Sequence, residues 1–376
     1  MVKKKSIFPL TKLSDVVSMK SGESITAERI TSEEKFPCFG GNGLRGYTTT
    51  FTHDGSYTLV GRQGALCGNV TFVSGRFYAS EHAIVVTPKK ETDIKFMSYV
   101  LYDMNLNQYS ESSAQPGLSV KKLLELEYPI PQNKEEQTAI AEALSDVDSL
   151  ISSLQKLIEK KKAIKQGAMQ ELLTGKKRLP GFSGKWTNAT LGRCFNKIVG
   201  GGTPSRAIPE FWNGEIPWAT VKDFATFNPY KTQEYISEAG LNHSSTHLIP
   251  KGTLITSTRM GIGKIVIYYV DVAINQDLKA LFISDDVSKE YIYHLFGMVG
   301  KIIESLGNGS TVKGIRIEQL KNLSIVLPKK NEQQAIAQVL SDMDSEIEQL
   351  EKKLAKYQQI KQGMMQELLT GRIRLV

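Results

Sequence analysis

From Ile140 the apolar positions Leu144, Val147, Ile151, Leu154 and Ile158 recur at alternating steps of four and three, the spacing that lines one seam of a coiled coil. A second series, Ile336, Leu340, Met343, Ile347, Leu350, Leu354 and Tyr357, repeats that spacing, its early members 196 positions beyond their partners. At the same offset I-K-Q-G-A-M-Q-E-L-L-T-G (Ile164 to Gly175) returns as I-K-Q-G-M-M-Q-E-L-L-T-G (Ile360 to Gly371). The pattern predicts two matched helices of roughly 40 residues, each about 60 Å long. Asn133 with Glu136, and Asn331 with Gln334, stand after Pro131 and Pro328 as N-caps with capping-box partners. Gly175 and Gly371 supply the stops. A seam this narrow, with charged flanks, is not expected to bury itself in its own globule. Pairing with its duplicate would cover both stripes, Leu144, Ile151, Leu154 and Ile158 on one helix and Leu340, Ile347, Leu350 and Leu354 on the other, in an antiparallel arrangement. Gly167 and Gly363 interrupt good helix at equivalent places, at a cost of about 1 kcal/mol each relative to Ala. Close backbone approach, to the partner helix or to another subunit, would explain them.

Between the helical stretches the period changes. Short apolar and β-branched runs, Tyr57 to Val60, Val70 to Val73 and Ala83 to Val86 in one stretch, Thr253 to Ile255 and Ile265 to Val270 in the other, are broken by glycine and read as twisted sheet with long loops. At the entrances Phe8, Leu13 and Ser14 have the spacing of Trp186, Leu191 and Gly192. At the exits Gly117, Leu118, Val120, Leu123, Leu126 and Pro131 answer Gly314, Ile315, Ile317, Leu320, Leu323 and Pro328. The chain of 376 residues exceeds what one core usually supports. The predicted fold is α+β: two β-rich α/β globules, 1–130 and 181–328, separated by helical regions 131–180 and 329–376 that form an antiparallel coiled coil with a pseudo-twofold internal repeat. A shared frame with different filling suits two modules doing one job on two different ligands.

A formal charge of +8 favours a polyanionic partner without deciding for one. Cys38, Cys67 and Cys194 are isolated, with no C-x-x-C pair, which fits neither a disulfide framework nor a zinc site and suits a reducing cytosol. Lys3 to Lys5 resemble the basic start of a signal peptide, but Lys12 interrupts the apolar stretch that follows, and no run approaches membrane-spanning length. A cytoplasmic protein without a membrane partner is expected. The loops carry what a base-reading surface needs. Asn42 and Arg45 lie in a Gly-rich turn, Arg62 and Gln63 precede Gly64, Thr258 and Arg259 precede Gly261, and Asn275 adjoins Gln276. Arg grips guanine, and Asn or Gln grips adenine, in bidentate fashion. Lys222, Lys264, Lys313 and Arg316 are candidates to hold phosphates. Arg62 and Arg259 stand out because each follows an apolar strand, precedes glycine and falls at an equivalent place in its half.

Phe39 to Gly43, F-G-G-N-G, fits the loose F-x-G-x-G pattern of methyltransferase cofactor loops. Such a loop joins a strand to a helix, whereas Tyr47 to Thr52 and the residues beyond are strand-like. Asn228-Pro229-Tyr230 lacks the second proline of the N-P-P-Y signature of amino-methylating enzymes, and neither fragment supports a cofactor site. No phosphate-cradling G-x-x-x-x-G-K-[ST] occurs, His243 and His247 have no third ligand nearby, and Glu33-Glu34-Lys35 is too short to nominate a nuclease. The expectation is a protein without catalytic residues, metal or cofactor. The alternatives are a stand-alone DNA methyltransferase and a coiled-coil scaffold without a DNA role.

The repeated Q-E-L-L-T-G helix ends, the prolines before the E-x-Q or E-Q-Q-A-I-A helix starts, and G-G-T-P-S (Gly201 to Ser205) followed by F-W-N-G-E-I-P-W (Phe211 to Trp218) together resemble the specificity subunits of type I restriction-modification systems. The likeness covers nearly the whole chain. The first globule matches more loosely, through F-G-G-N-G-L-R-G-Y and S-E-H-A (Ser80 to Ala83). The resemblance adds His82, Thr203 and Ser205 to the candidate DNA-binding residues. It implies two unlike target-recognition domains on double-stranded DNA, separated by paired helices that dock two modification subunits and, in the full complex, restriction subunits.

Overall fold

The computed structural model describes residues 6–64, 66–111, 116–306 and 314–375. The chain divides into two compact units, Met1–Lys156 with Glu351–Val376, and Leu157–Leu350. Each holds one globule, the start of one long helix and the end of the other. The helices are Lys134–Leu172 and Lys330–Leu368, 39 residues apiece. Gly175 and Gly371 end them in the left-handed region, at φ +71° and +72°, where a Cβ is strained.

The helix starts differ from the expected capping boxes. Asn133 Oδ1 accepts the Glu135 N–H at 2.8 Å, but Glu136 does not reach back to the cap. Its carboxylate is 2% exposed and is held by Arg374, with Nη2 donating to Oε2 at 2.8 Å and Nε donating to Oε1. Asn331 lies within the first turn, where its Oδ1 accepts the Glu332 N–H at 2.9 Å, and the cap position falls to Lys329, whose carbonyl accepts the N–H of Glu332 and Gln333 at 2.9 and 3.0 Å. The reason is register. The second helix starts where Gln333 can repeat Gln137. Gln137 donates to the Pro131 carbonyl and accepts the Asp93 N–H, both at 2.8 Å. Gln333 donates to the Pro328 carbonyl at 2.9 Å and accepts the Ser288 N–H at 2.8 Å. Both are 2% exposed and fully engaged, as burial of an amide requires.

In the first unit six strands lie in the order Val17–Ser21, Ala83–Pro88, His53–Gly61, Val70–Ala79, Phe36–Gly40 and Gly43–Thr48. All neighbours are antiparallel except Val70–Ala79 beside Phe36–Gly40. The second half of the strand His53–Gly61, from Thr58 to Gly61, is buried on both faces, and the Thr58 hydroxyl is satisfied by the Ile94 carbonyl at 3.0 Å. Helix Ile94–Asp103, capped by Asp93 at 2.7 Å from the Phe96 N–H, contributes Phe96, Met97, Val100 and Leu101 to the main core. That core also contains Ile140, Ala141 and Leu144 from one long helix and Met365 and Leu368 from the other, with Leu369 just beyond its end. The helix start is therefore part of its own globule, contrary to expectation, because its first turns carry alanine and isoleucine beside the seam and widen the apolar face. Burial of each such aliphatic side chain stabilises by about 1.5–3 kcal/mol.

The second unit builds two four-stranded sheets. One runs Phe195–Gly200, Leu278–Ile283, Leu254–Ser257, Ile265–Ile267; the other runs Glu234–Ile236, Ile216–Ala219, Val272–Ile274, His247–Ile249. Helix Lys289–Ser305 packs Tyr291, Leu295, Phe296 and Val299 into a core that takes in Ile336, Ala337 and Leu340 of one long helix, Leu172 of the other and Leu173 just beyond its end. In both units a two-stranded ribbon joins entrance to exit, Leu10–Lys12 with Glu127–Pro129 and Thr187–Thr190 with Ser324–Leu327. Leu13 and Leu191, each fully buried, anchor these ribbons through N–H bonds to Leu126 and Leu323 at 2.9 and 2.8 Å.

Charged pairs set helix register within each unit, and they repeat at the 196-residue offset. In the first, Lys361 meets Asp148 at 2.6 Å and Arg374 meets Glu136. In the second, Lys165 meets Asp344 and Arg178 meets Glu332 at 2.6 and 2.7 Å. In each unit the partner numbers rise along one segment as they fall along the other. Of the seam residues Leu144, Leu154, Ile158, Leu340 and Ile347 are buried, and Ile151, Leu350 and Leu354 are half-buried. Gly167 and Gly363 are exposed, with no atom within 4 Å of a Cβ built on either. Close approach to the partner helix does not explain them.

At one equivalent position against the long helices the units carry different titratable groups. Six residues beyond their N-caps stand Tyr99 and His294. The Tyr99 hydroxyl donates to Asp148 at 2.8 Å. His294, 3% exposed, has Nε2 3.1 Å from the Ser341 hydroxyl and Nδ1 3.9 Å from Asp344. Burial first, then the Lys165 ammonium, pushes its imidazole below the usual value, against the pull of Asp344 and Glu290. The folded state thus binds the proton less well than the unfolded chain, so stability is full above the unfolded value of 6.5 and falls as pH drops through it. Urea denaturation from about pH 8 to pH 5 will show this loss, and His294→Tyr, which copies the first unit, will flatten the dependence.

Candidate nucleic-acid interface

At one edge of the first globule five separated candidates meet. Gly40 pairs with Gly43 across a turn at Gly41 and Asn42, with Gly43 at φ +83°, so F-G-G-N-G is a hairpin between antiparallel strands. The strand-to-helix turn of a cofactor loop is not present here. Gly61 is required because the turn crosses the end of the central strand: a Cβ there would lie 2.1 Å from the Gly41 oxygen. A Cβ on Gly41 would in turn meet the carbonyl oxygens of Gln63 and His82 at 2.9 and 3.3 Å, and the Arg62 N–H donates to the His82 carbonyl at 2.8 Å. The Arg45 stem lies over Gly40 beside Ser80, a buried serine whose hydroxyl has no partner among the described residues. Asn42, Arg45 and Gln63 are exposed, Arg62 is half-buried, and His82 Nε2 lies 3.1 Å from Glu81.

The second globule gathers a comparable but chemically different set. Thr258, Arg259, Gln276 and Arg316 line an open groove of about 1300 Å³ together with Asp277 and Asn322. Thr203 joins them by donating to Gln276 Oε1 at 2.6 Å. Arg259 is held on both sides: Ser257 Oγ accepts its N–H at 3.2 Å and donates to its carbonyl, and the residue bridges to Gly314. Asn275 does not line this groove. It is 6% exposed, accepts the Asp277 N–H at 3.2 Å and turns its amide to Asp277 Oδ2 at 3.5 Å.

The equivalence expected for Arg62 and Arg259 is displaced by one residue. Gln63 bridges to Gly117 as Arg259 bridges to Gly314, while Leu118 and Ile315 donate to the carbonyls of Arg62 and Thr258, both at 2.9 Å. Gln63 and Arg259 are thus the matched exposed positions; Arg62 matches buried Thr258. Side chains alternate along extended chain, so a slip of one residue exchanges inward for outward.

Ser205, Lys222 and Lys264 do not line the groove. Ser205 and Lys222 are exposed near an unforeseen group, Arg206, whose guanidinium stacks 3.6 Å from the Trp212 centroid and forks onto Glu234 at 2.6 and 2.9 Å. The hydrogen bond from Arg206, more than its charge, holds the Glu234 carboxyl below the usual range. Trp212 and Trp218 donate to the carbonyls of Ser205 and Gly202 at 3.0 and 3.1 Å, so the tryptophans of the quoted motif pin the G-G-T-P-S loop. Lys264 is exposed on the Gly261 turn, and Lys313 lies outside the described residues. Lys279, also unforeseen, donates to the Gln276 carbonyl at 2.6 Å, and burial holds its ammonium below the usual range.

All three cysteines are buried, and burial pushes the Cys194 thiol up to about 12. No group of three metal-ligating side chains occurs among the described residues. His243 and His247 face the Ala239 and Gly200 carbonyls at 2.9 and 3.0 Å. Among the described residues no helix is long and apolar enough to cross a membrane.

Residues 9–166 and 183–362 match the family model described as type I restriction modification DNA specificity domain. The chain is 46% identical over 146 residues, 38% of its length, to the type I restriction enzyme EcoprrI specificity subunit of Escherichia coli. It is 34% identical over 161 residues, 42% of its length, to the MjaIX specificity subunit of Methanocaldococcus jannaschii. The matched stretches span little more than a third of these relatives, 36% and 37%. In fold the chain is similar to the S subunit of a type I restriction-modification system from M. genitalium, with a TM-score of 0.71 at 19% identity over 98% of this chain and 97% of that one.

Loop placement depends on glycines with no room for a side chain. A Cβ on Gly201 would lie 1.8 Å from the Ile274 oxygen, whereas one on Gly43 meets nothing within 4 Å and is strained only by its φ. Gly201→Ala should therefore destabilise the second unit by more than about 2 kcal/mol and Gly43→Ala the first by about 1 kcal/mol, as read by urea denaturation.

Proposed function

Because this chain belongs to the type I restriction modification DNA specificity family, we propose that it reads DNA sequence for a restriction-modification complex, each globule contacting one half of a bipartite, asymmetric site on double-stranded DNA. The observation that carries this reading is duplication of the frame without duplication of the probes. Arg374–Glu136 and Lys361–Asp148 recur as Arg178–Glu332 and Lys165–Asp344, while the hairpin cluster of Asn42, Arg45, Gln63 and His82 is replaced by the groove of Thr203, Arg259, Gln276 and Arg316. Equal frames with unlike probes suit a target whose halves differ. On this reading the helices pair as an antiparallel coiled coil about a pseudo-twofold axis, and their length sets the unread spacer between half-sites. Catalysis belongs to the partners, and the chain supplies no reactive centre.

Docking of two modification subunits, with restriction subunits in the full complex, is supported by a second repeat. Ile164 and Gly167, and 196 residues on Ile360 and Gly363, leave an exposed isoleucine and a bare backbone on each helix; the isoleucines are 47% and 37% exposed. Two identical seats suit two identical partners.

Two experiments test this. Replacement of residues 181–328 by the corresponding globule of a relative should rewrite one half of the sequence methylated by the assembled complex and leave the other half intact; persistence of both halves would overturn the reading. Gly167→Ala with Gly363→Ala should stabilise the isolated chain by about 1 kcal/mol per site while weakening capture of modification subunits, measured by co-purification.

A further inference from the structure

The lining of the groove in the second globule pairs an acid with a base, Asp277 with Arg259, and the pair is built rather than incidental. Arg259 Nη1 lies 3.6 Å from Asp277 Oδ1, with the arginine side chain 63% exposed and the aspartate 20% exposed. Both backbones are fixed. Ser257, 2% exposed, brackets the Arg259 N–H and carbonyl with one hydroxyl. The Asp277 carbonyl accepts the Thr258 N–H and hydroxyl at 2.9 and 3.0 Å, and its N–H is taken by the Asn275 side chain. The buried Asn275 amide then holds Oδ2, which leaves Oδ1 toward the guanidinium.

A carboxylate beside an arginine makes a poor phosphate site, because it sets negative charge against negative charge. The same pair matches one base-pair edge. In the major groove guanine offers the O6 and N7 acceptors and cytosine the N4 amine, and O6 and N4 are neighbours because they bond to each other. Arginine donates to the first base; aspartate accepts from the second. An A·T pair reverses the match, presenting an amine to the guanidinium and an acceptor to the carboxylate in the same register.

We infer that Arg259 and Asp277 together read a single G·C pair in the half-site of the second globule, with Asn275 a positioning residue that orients Asp277. This rests on the assignment of that globule as a DNA reader. Gln276, bonded to Thr203 beside the pair, is placed for the adjoining base.

The test uses the full chain assembled with its modification subunits and sequences methylated sites from a randomised duplex library. For the native chain the half-site rewritten by exchange of residues 181–328 should contain an invariant G·C pair. Arg259→Ala and Asp277→Ala should each relax that same position, lowering discrimination against A·T by about tenfold or more, with every other position and the other half-site unchanged. Asp277→Asn, which keeps size and folding, should relax it as well, and Asn275→Ala should do so to a smaller degree. If globule exchange rewrites the half-site but no variant relaxes a G·C position in it, the Arg259–Asp277 inference is overturned and the reading of the chain stands. If exchange rewrites nothing, that reading itself has failed.

Discussion

Glu136 and Glu332 are 2% and 3% exposed, and without a guanidinium each would leave an ionised carboxylate in the interior, a state that costs several kcal/mol. Arg374 and Arg178 supply that guanidinium from the turn beyond the end of the other long helix, so helix end and helix start are tied within each unit. The clasp is stronger in specificity than in net energy. Desolvation offsets much of the attraction, and most of the stabilisation comes from the apolar contacts around it, Leu144 with Met365 and Leu368 in one core, Leu340 with Leu172 and Leu173 in the other. Aliphatic packing tolerates a shift along the helix. A forked arginine on a buried carboxylate does not.

This division of labour explains which parts of the molecule were legible in the amino-acid sequence. The long helices were, because a 3.5-residue period over many turns has few competing explanations and the stops at Gly175 and Gly371 require left-handed backbone. Their capping was not. Glu136 fits a capping box by spacing, and only the fold shows that a remote arginine claims it. The involvement of Leu144 and Leu340 in the globules was also hidden, since a seam residue and a core residue look alike until the neighbouring element is known.

The probes were legible as residue types and less so as positions. Hairpin chemistry at Gly41 and Asn42 and the glycines near Arg62 and Arg259 marked the loops that the fold gathers into the two clusters. What local spacing could not supply was side: Arg62 and Arg259 follow strands of similar look, yet their backbones differ by one residue in register against the Gly117 and Gly314 segments. Nor could it distinguish Asn275, which is buried as a brace, from Gln276, which is exposed beside it. Arg206 escaped notice because its partners, Trp212 and Glu234, are brought to it only by the sheet.

The central claim is that the helices act as a ruler between two unlike readers, and helix length is the quantity to vary. Four residues inserted in each helix where it passes from one unit to the other, after Lys156 and after Leu350, add about 6 Å of helix without touching either probe cluster or either arginine–glutamate clasp. Sequencing of sites methylated by the assembled complex should then show both half-sites unchanged and the unread spacer lengthened. An unaltered spacer in a complex that still methylates would contradict the account.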